Sequence, residues 1–161
     1  MGADKVQMSV KVKTEHHCAL LSVEIATAAY TELRDTVQWQ EGVRSKQGFT
    51  RLARGFLPGE NATVDELICL TLHKLALDVK LLGIYVNYYK DGEHWTPNHA
   101  HPGTKQIIIS LGATRTLSIA NREYAMGNGD VAIFGSATHG IKKESEVTAG
   151  RISIALLVLK A

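Results

Sequence analysis

NYYKDGEHWTPNHAHPGTKQIIIS, residues 87–110, is the stretch on which the reading of the fold turns. It continues an alternating run, 84–89, in which Tyr85, Asn87 and Tyr89 share one face of a strand. Asp91-Gly92 is a turn signal. His94, His99 and His101 follow, three of the seven histidines in the chain. His99 and His101 are two apart, so an extended backbone projects both from one face. Pro102 biases His101 toward that extended state. Imidazoles on a shared face can hold one metal ion. His94 is an alternative ligand, and Trp95, in the loop before the pair, is either an aromatic anchor or a platform for a flat substrate such as a base.

Downstream the period of two continues. Residues 106–111, 115–120, 131–134 and 152–159 read as strands, separated by Gly112, Asn121-Arg122, Asn128-Gly129 and Ala149-Gly150. Many short strands with turns between them predict a mainly β core of the jelly-roll kind, a double-stranded β-helix. Such a barrel brings distant strands to one mouth, so His99, His101, the later His139 and the basic Arg151 can converge. Arg suits a carboxylate because its fork makes two parallel charge-assisted bonds.

Upstream, residues 6–12 alternate loosely and are read as an edge strand. His16-His17-Cys18 looks like a metal cluster, but no partner ligand flanks it and it runs into the apolar 19–23, so it is read as a strand start. Residues 27–38 and 64–81 have helical spacing. The second is introduced by a Thr63 to Glu66 capping box and ends near Gly83. These two helices are expected to pack outside the barrel. Between them, 41–60 is turn-rich and basic: Arg44, Lys46, Arg51 and Arg54 lie there with no acid between the end glutamates. It is a solvated loop or hairpin, or a lid that touches an anionic substrate.

At 161 residues the chain is expected to be a single domain, 1–161. Residues 1–82 would form a helical support and lid, and 83–161 the core. A formal net charge of +2 implies no general pull toward nucleic acid or membrane. The longest strongly apolar run, 154–159, is too short to cross a bilayer, and no secretory signal is seen. Cys18 and Cys69 are expected to be buried free thiols, which suits a reducing, cytoplasmic setting.

An ordered series of short motifs from about Gly83 to Leu159 resembles the AlkB-like family of Fe(II)/2-oxoglutarate-dependent dioxygenases. The motifs are Asn87-Tyr88-Tyr89, Lys90-Asp91-Gly92, His99-Ala100-His101, Ser110-Leu111-Gly112, Gly129-Asp130, His139 and Arg151. The resemblance implies Fe(II) on His99 and His139. It implies 2-oxoglutarate on Arg151, with Asn87 and Tyr89 hydrogen-bonding it and Ser153 on the face of Arg151. The basic segment falls where the family carries a nucleotide-recognition lid, which makes Arg44, Lys46, Arg51, Arg54 and Trp95 the candidate substrate contacts. The implied activity consumes O2 and oxidises a C–H bond, for example an N-methyl group on a DNA or RNA base. Two departures stand out. His101 occupies the place of the family's Asp ligand, and Leu157 that of its second Arg. The first leaves the iron site one unit more positive; the second removes a co-substrate contact. Two alternatives remain open: an oxygenase of the same fold acting on a protein or a small molecule, and a metal-binding module without turnover.

Overall fold

The computed structural model describes residues 12–42, 44–45 and 48–160. In chain order the elements are β1 (Glu15–His17), α1 (Val23–Thr36), β2 (Gln40–Glu41), β3 (Arg44–Ser45), β4 (Gly48–Phe49), β5 (Leu52–Phe56) and α2 (Ala62–Lys74). Then follow β6 (Val79–Tyr89), β7 (Thr96–His99), β8 (Lys105–Gly112), β9 (Arg115–Ile119), β10 (Arg122–Met126), β11 (Val131–Phe134), β12 (His139–Ile141) and β13 (Arg151–Lys160). A seven-stranded sheet has the order β1-β11-β8-β13-β6-β5-β2, and a four-stranded sheet the order β10-β9-β12-β7. β3 and β4 form a separate ribbon. All pairings are antiparallel. This is the mainly β, double-stranded β-helix with flanking helices that the strand pattern predicts.

Alternation sorts side chains into two cores. On β8, Ile107, Ile109 and Leu111 join Ile152, Ile154, Leu156 and Val158 of β13 in a cluster that packs under the helices, with Leu21, Ala26, Leu33, Val64 and Leu67. The opposite face of the same strands turns into the barrel. There Ile108 meets Leu117, Ile119, Met126, Phe134 and Ile141. The inward residues of β13 are Arg151, Ser153, Ala155 and Leu157, and they line a cavity between the sheets. Cross-strand register places Arg151 opposite Tyr89 and Ser153 opposite Asn87, so the four inward groups lie on adjoining strands.

Both helices are displaced from their expected spans. Ser22 caps α1 by accepting from the Ile25 amide, so the helix begins at Val23 rather than Thr27. Val23 and Ile25 are exposed and hide the start of the apolar stripe. Helix α2 is capped by Asn61, whose side chain accepts from the Val64 amide; Thr63 and Glu66 lie inside the helix and form no capping box. It ends at Lys74, not near Gly83. Leu75, Leu77, Val79 and Leu81 recur every second residue, and that period belongs to β6, which starts at Val79.

The thiols of Cys18 and Cys69 are free, as expected, but exposed rather than buried. Cys69 lies outside the face of α2 formed by Val64, Leu67, Ile68 and Thr71, and Cys18 sits in the turn after β1. The 6–12 strand expectation lies outside the described residues except at its last position. Among the described residues, no helix is long and apolar enough to cross a membrane.

Candidate metal centre

Three imidazoles meet at one end of the barrel. His99 closes β7 and His139 opens β12, and the two are direct cross-strand partners. Their ring centroids are 4.3 Å apart. His101 lies two residues beyond β7, not on the strand as expected. Its ring is nevertheless 4.9 Å from His99 and 5.7 Å from His139. One nitrogen from each ring lies within 4.8 Å of the others. A shared ion needs nitrogens roughly 3–3.5 Å apart, so a ring closure of about 1–2 Å completes the set.

The tautomers are set by the backbone. His99 Nδ1 donates to the Pro97 carbonyl at 2.8 Å, and His139 Nδ1 to the Ala137 carbonyl at 3.0 Å. Both rings therefore turn Nε2 to the common space as an unprotonated donor, the arrangement that metal-binding histidines use. Burial, only partly opposed by the Ala137 contact and reinforced by the neighbouring imidazoles, lowers the His139 pKa from 6.5 to about 4. The His101 pKa is lowered too, by burial and then by His99. His101 and His139 are thus ready at neutral pH to bind a cation. His94 takes no part: its Nδ1 accepts from the Lys90 amide, and the ring lies outside the cluster.

The imidazoles open into a cavity of about 770 Å³, also lined by Asn87, Tyr89, Gln106, Arg151, Ser153 and Leu157. Arg151 is 1% exposed. Its Nε donates to Ser110 Oγ at 2.8 Å, while both terminal guanidinium nitrogens are buried without an acceptor. Its guanidinium lies 5.4 Å from the centroid of the Tyr89 ring. Burial pushes its pKa down against the opposing influence of Tyr89. A buried cation with two orphaned N–H groups is costly unless an anion completes it. A carboxylate matches the fork.

The other candidates fall as follows. Asn87 Oδ1 accepts from Arg51 Nε at 2.9 Å, which leaves the amide nitrogen of Asn87 as its donor. Tyr89 bonds its hydroxyl to Thr96 Oγ1 at 2.6 Å. Arg51 and Arg54 line the cavity, but Arg54 is held by the Gln38 carbonyl. Lys46 and the side chain of Arg44 lie outside the described residues. Trp95 is absent from the cavity lining; Lys143 Nζ sits 5.8 Å over its ring, so the loop-anchor reading fits better than the base-stacking one.

Gln106 is the residue that sequence reasoning missed. It is 1% exposed, and its amide nitrogen is buried without a partner on the cavity face. It lies across from Leu157 of β13 and Phe134 of β11. The signal was present: Gln106 and Ser110 are polar at inward positions of an otherwise apolar strand, four apart and therefore on one face.

No family model and no curated protein sequence matches the chain. Solved structures do. A Pseudomonas putida prolyl-4-hydroxylase aligns with 92% of each chain covered, 13% identity and a TM-score of 0.62. A Trichoplax adhaerens prolyl hydroxylase, solved with a hypoxia inducible factor peptide, covers 91% of this chain and 83% of its own at 10% identity, TM-score 0.67. SnoN, a non-heme alpha-ketoglutarate-dependent epimerase from nogalamycin biosynthesis, covers 92% of this chain and 78% of its own at 12% identity, TM-score 0.69. At such identities the likeness is one of fold: the chain shares the double-stranded β-helix of these hydroxylases and this epimerase.

Proposed function

We infer that the protein is an Fe(II)/2-oxoglutarate-dependent oxygenase whose substrate is a small molecule or a protein side chain. One observation carries the reading: a buried Arg151 with two orphaned N–H groups shares one cavity with three converging imidazoles. His99, His101 and His139 would hold the metal. Arg151 would clamp the distal carboxylate of the oxo acid, with Ser153, Tyr89 and the Asn87 amide beside it. When bound, iron and oxo acid together supply the oxidation of a C–H bond by O2. The chain's own residues would orient the acid, and Ile108, Leu117 and Ile141 give the cavity an apolar wall beside it.

The two departures from the AlkB-like pattern offset one another in charge. Replacing the Asp ligand by His101 adds one positive unit at the metal. Replacing the second Arg by Leu157 removes one from the wall. A dianionic oxo acid therefore meets the same total charge, held more at the metal and less at the far strand. SnoN, which has the fold, is alpha-ketoglutarate-dependent by its description. The nucleic-acid substrate that the resemblance implied has less behind it. Arg51 and Arg54 bond within the chain, and Trp95 is off the cavity. The fold relatives described above are two prolyl hydroxylases and an epimerase.

Purified protein given Fe(II), 2-oxoglutarate and O2 is expected to release succinate, if only by slow uncoupled turnover. Arg151→Met should abolish it while metal loading stays intact. Metal binding with no succinate under any condition would sink the oxygenase reading and leave the metal-binding module.

A further inference from the structure

The His16-His17-Cys18 run was read as a strand start because no ligand flanks it in sequence. The fold supplies one from 114 residues away. β1 pairs with β11 with His17 opposite Val131, which brings Asp130 beside the turn. His16 Nε2 lies 3.0 Å from Asp130 Oδ2, and Cys18 Sγ lies 3.7 Å from the same Nε2. One donor atom from each of the three residues lies within 4.8 Å of the other two.

Hydrogen bonding accounts for the His16–Asp130 contact but not for the thiol beside it. Nε2 faces both the carboxylate and the thiol, and it carries at most one proton. A Cys–His–Asp proton relay needs two different ring nitrogens, so that reading fails on geometry. Asp130 is already fixed: its Oδ1 accepts from the Ala19 amide at 2.7 Å and its Oδ2 from the Gly127 amide at 2.9 Å. What remains is a thiol, an imidazole and a carboxylate whose donor atoms lie within 4.8 Å of one another. Tetrahedral coordination with ordinary zinc bond lengths puts nitrogen and oxygen roughly 3.3 Å apart and nitrogen and sulfur roughly 3.6 Å apart. Both observed separations lie within a few tenths of an ångström of those.

We propose that His16, Cys18 and Asp130 form a second, solvent-facing site for a borderline divalent cation such as Zn(II), with water completing the tetrahedron. Mixed sulfur, nitrogen and oxygen donors suit that class of ion. The site is distinct from the histidine trio. It lies before the start of β11, whereas Phe134, at the other end, packs 4.8 Å from the His139 ring. Asp130 and Phe134 are roughly 13 Å apart along the chain there. The ion would pin the edge strand β1 and its turn onto the barrel, a structural role independent of any oxidation.

The test is a cobalt titration of the reduced, metal-free full chain. Thiolate ligation gives Co(II) a near-ultraviolet charge-transfer absorption. The histidine trio, having no sulfur, cannot produce it. The band is expected in the wild type, in Cys69→Ser and in the double variant His99→Ala/His139→Ala. It should vanish in Cys18→Ser, and His16→Ala should weaken cobalt binding by about tenfold or more. Cys18 is exposed, so its replacement leaves the fold in place, which circular dichroism checks. A wild type without the band overturns the site, as does a band that survives Cys18→Ser or disappears in the histidine double variant.

Discussion

Gln106 and Arg151 are polar groups placed where alternation would put apolar ones, and each leaves buried N–H groups unanswered. The ligand-free molecule therefore stores a cost that a bound ligand relieves. Replacing Gln106 by Met, similar in volume, is expected to stabilise the ligand-free protein by about 1 kcal/mol. That corresponds to a melting temperature higher by about 2–4 °C in calorimetry. A lower melting temperature would mean that the amide has a partner in solution. His139 makes a pH prediction. Its folded pKa of about 4 lies below the unfolded value of 6.5, so the unfolded chain binds more protons between them. Stability of the metal-free protein is then present in full above 6.5 and is lost as pH falls toward about 4. Thermal melts across that range in chelator should decline, and His139→Leu should flatten the decline. At this scale the sequence was informative for His99, His139 and Arg151, because histidines and a strand-leading arginine are scarce and their order resembles a known series. The signal at Gln106 is easily passed over, because an amide beside Lys105 also reads as a strand end.

At the scale of elements, Arg115 shows what a satisfied buried arginine does. It is 1% exposed and donates to the carbonyls of Asp91, His94 and Lys142, with Glu144 Oε1 at 3.4 Å. It fastens the loop after β6 to the loop after β12, at the ends of β7 and β12 away from His99 and His139. Arg115→Met should cost about 3–5 kcal/mol in denaturant unfolding, because three carbonyls lose this donor together and Glu144 loses its cation while keeping the Thr116 amide. A loss below 1 kcal/mol would show that water replaces it. Gly92 belongs to the same junction: its amide donates to the Val147 carbonyl at 2.7 Å, and an added Cβ would fall on the Glu144 carbonyl. Strands 106–111, 115–120, 131–134 and 152–159 were readable to within a residue because short runs rich in β-branched and apolar residues are bracketed there by turn residues. The helix ends were not. Leucines every second residue from Leu75 also fall on helical positions often enough to extend a helix, and Ala76 at a φ of 50° ends it where no glycine announces the turn.

For the whole molecule, the two cores divide the labour. The buried face beneath α1 and α2 is apolar apart from Thr71, whereas the barrel interior interrupts its apolar lining with the polar groups of the cavity. Both clusters are buried, and the second shares its interior with the cavity. Metal and oxo acid should therefore add stability by simple linkage. At a hundredfold excess over its dissociation constant, a ligand contributes about 2.7 kcal/mol. Ni(II) with 2-oxoglutarate, which cannot turn over, is expected to raise the melting temperature of the wild type more than Ni(II) alone. In Arg151→Met the increment from the acid should disappear. An equal increment in both would show that the acid sits elsewhere. The topology itself was not legible in full: that β13 lies between β6 and β8 follows from long-range pairing, which no local pattern records.

Pro97 lends its carbonyl to His99 but has no amide hydrogen to lend to anything. It stands on β7, the outermost strand of the four-stranded sheet. Bare outer strands invite neighbouring chains to zip on, and a proline breaks the row of donors such a neighbour requires. The residue that sets one imidazole's tautomer also discourages strand-to-strand aggregation at the barrel's open rim, so the doorway to the histidines stays clear even in crowded solution.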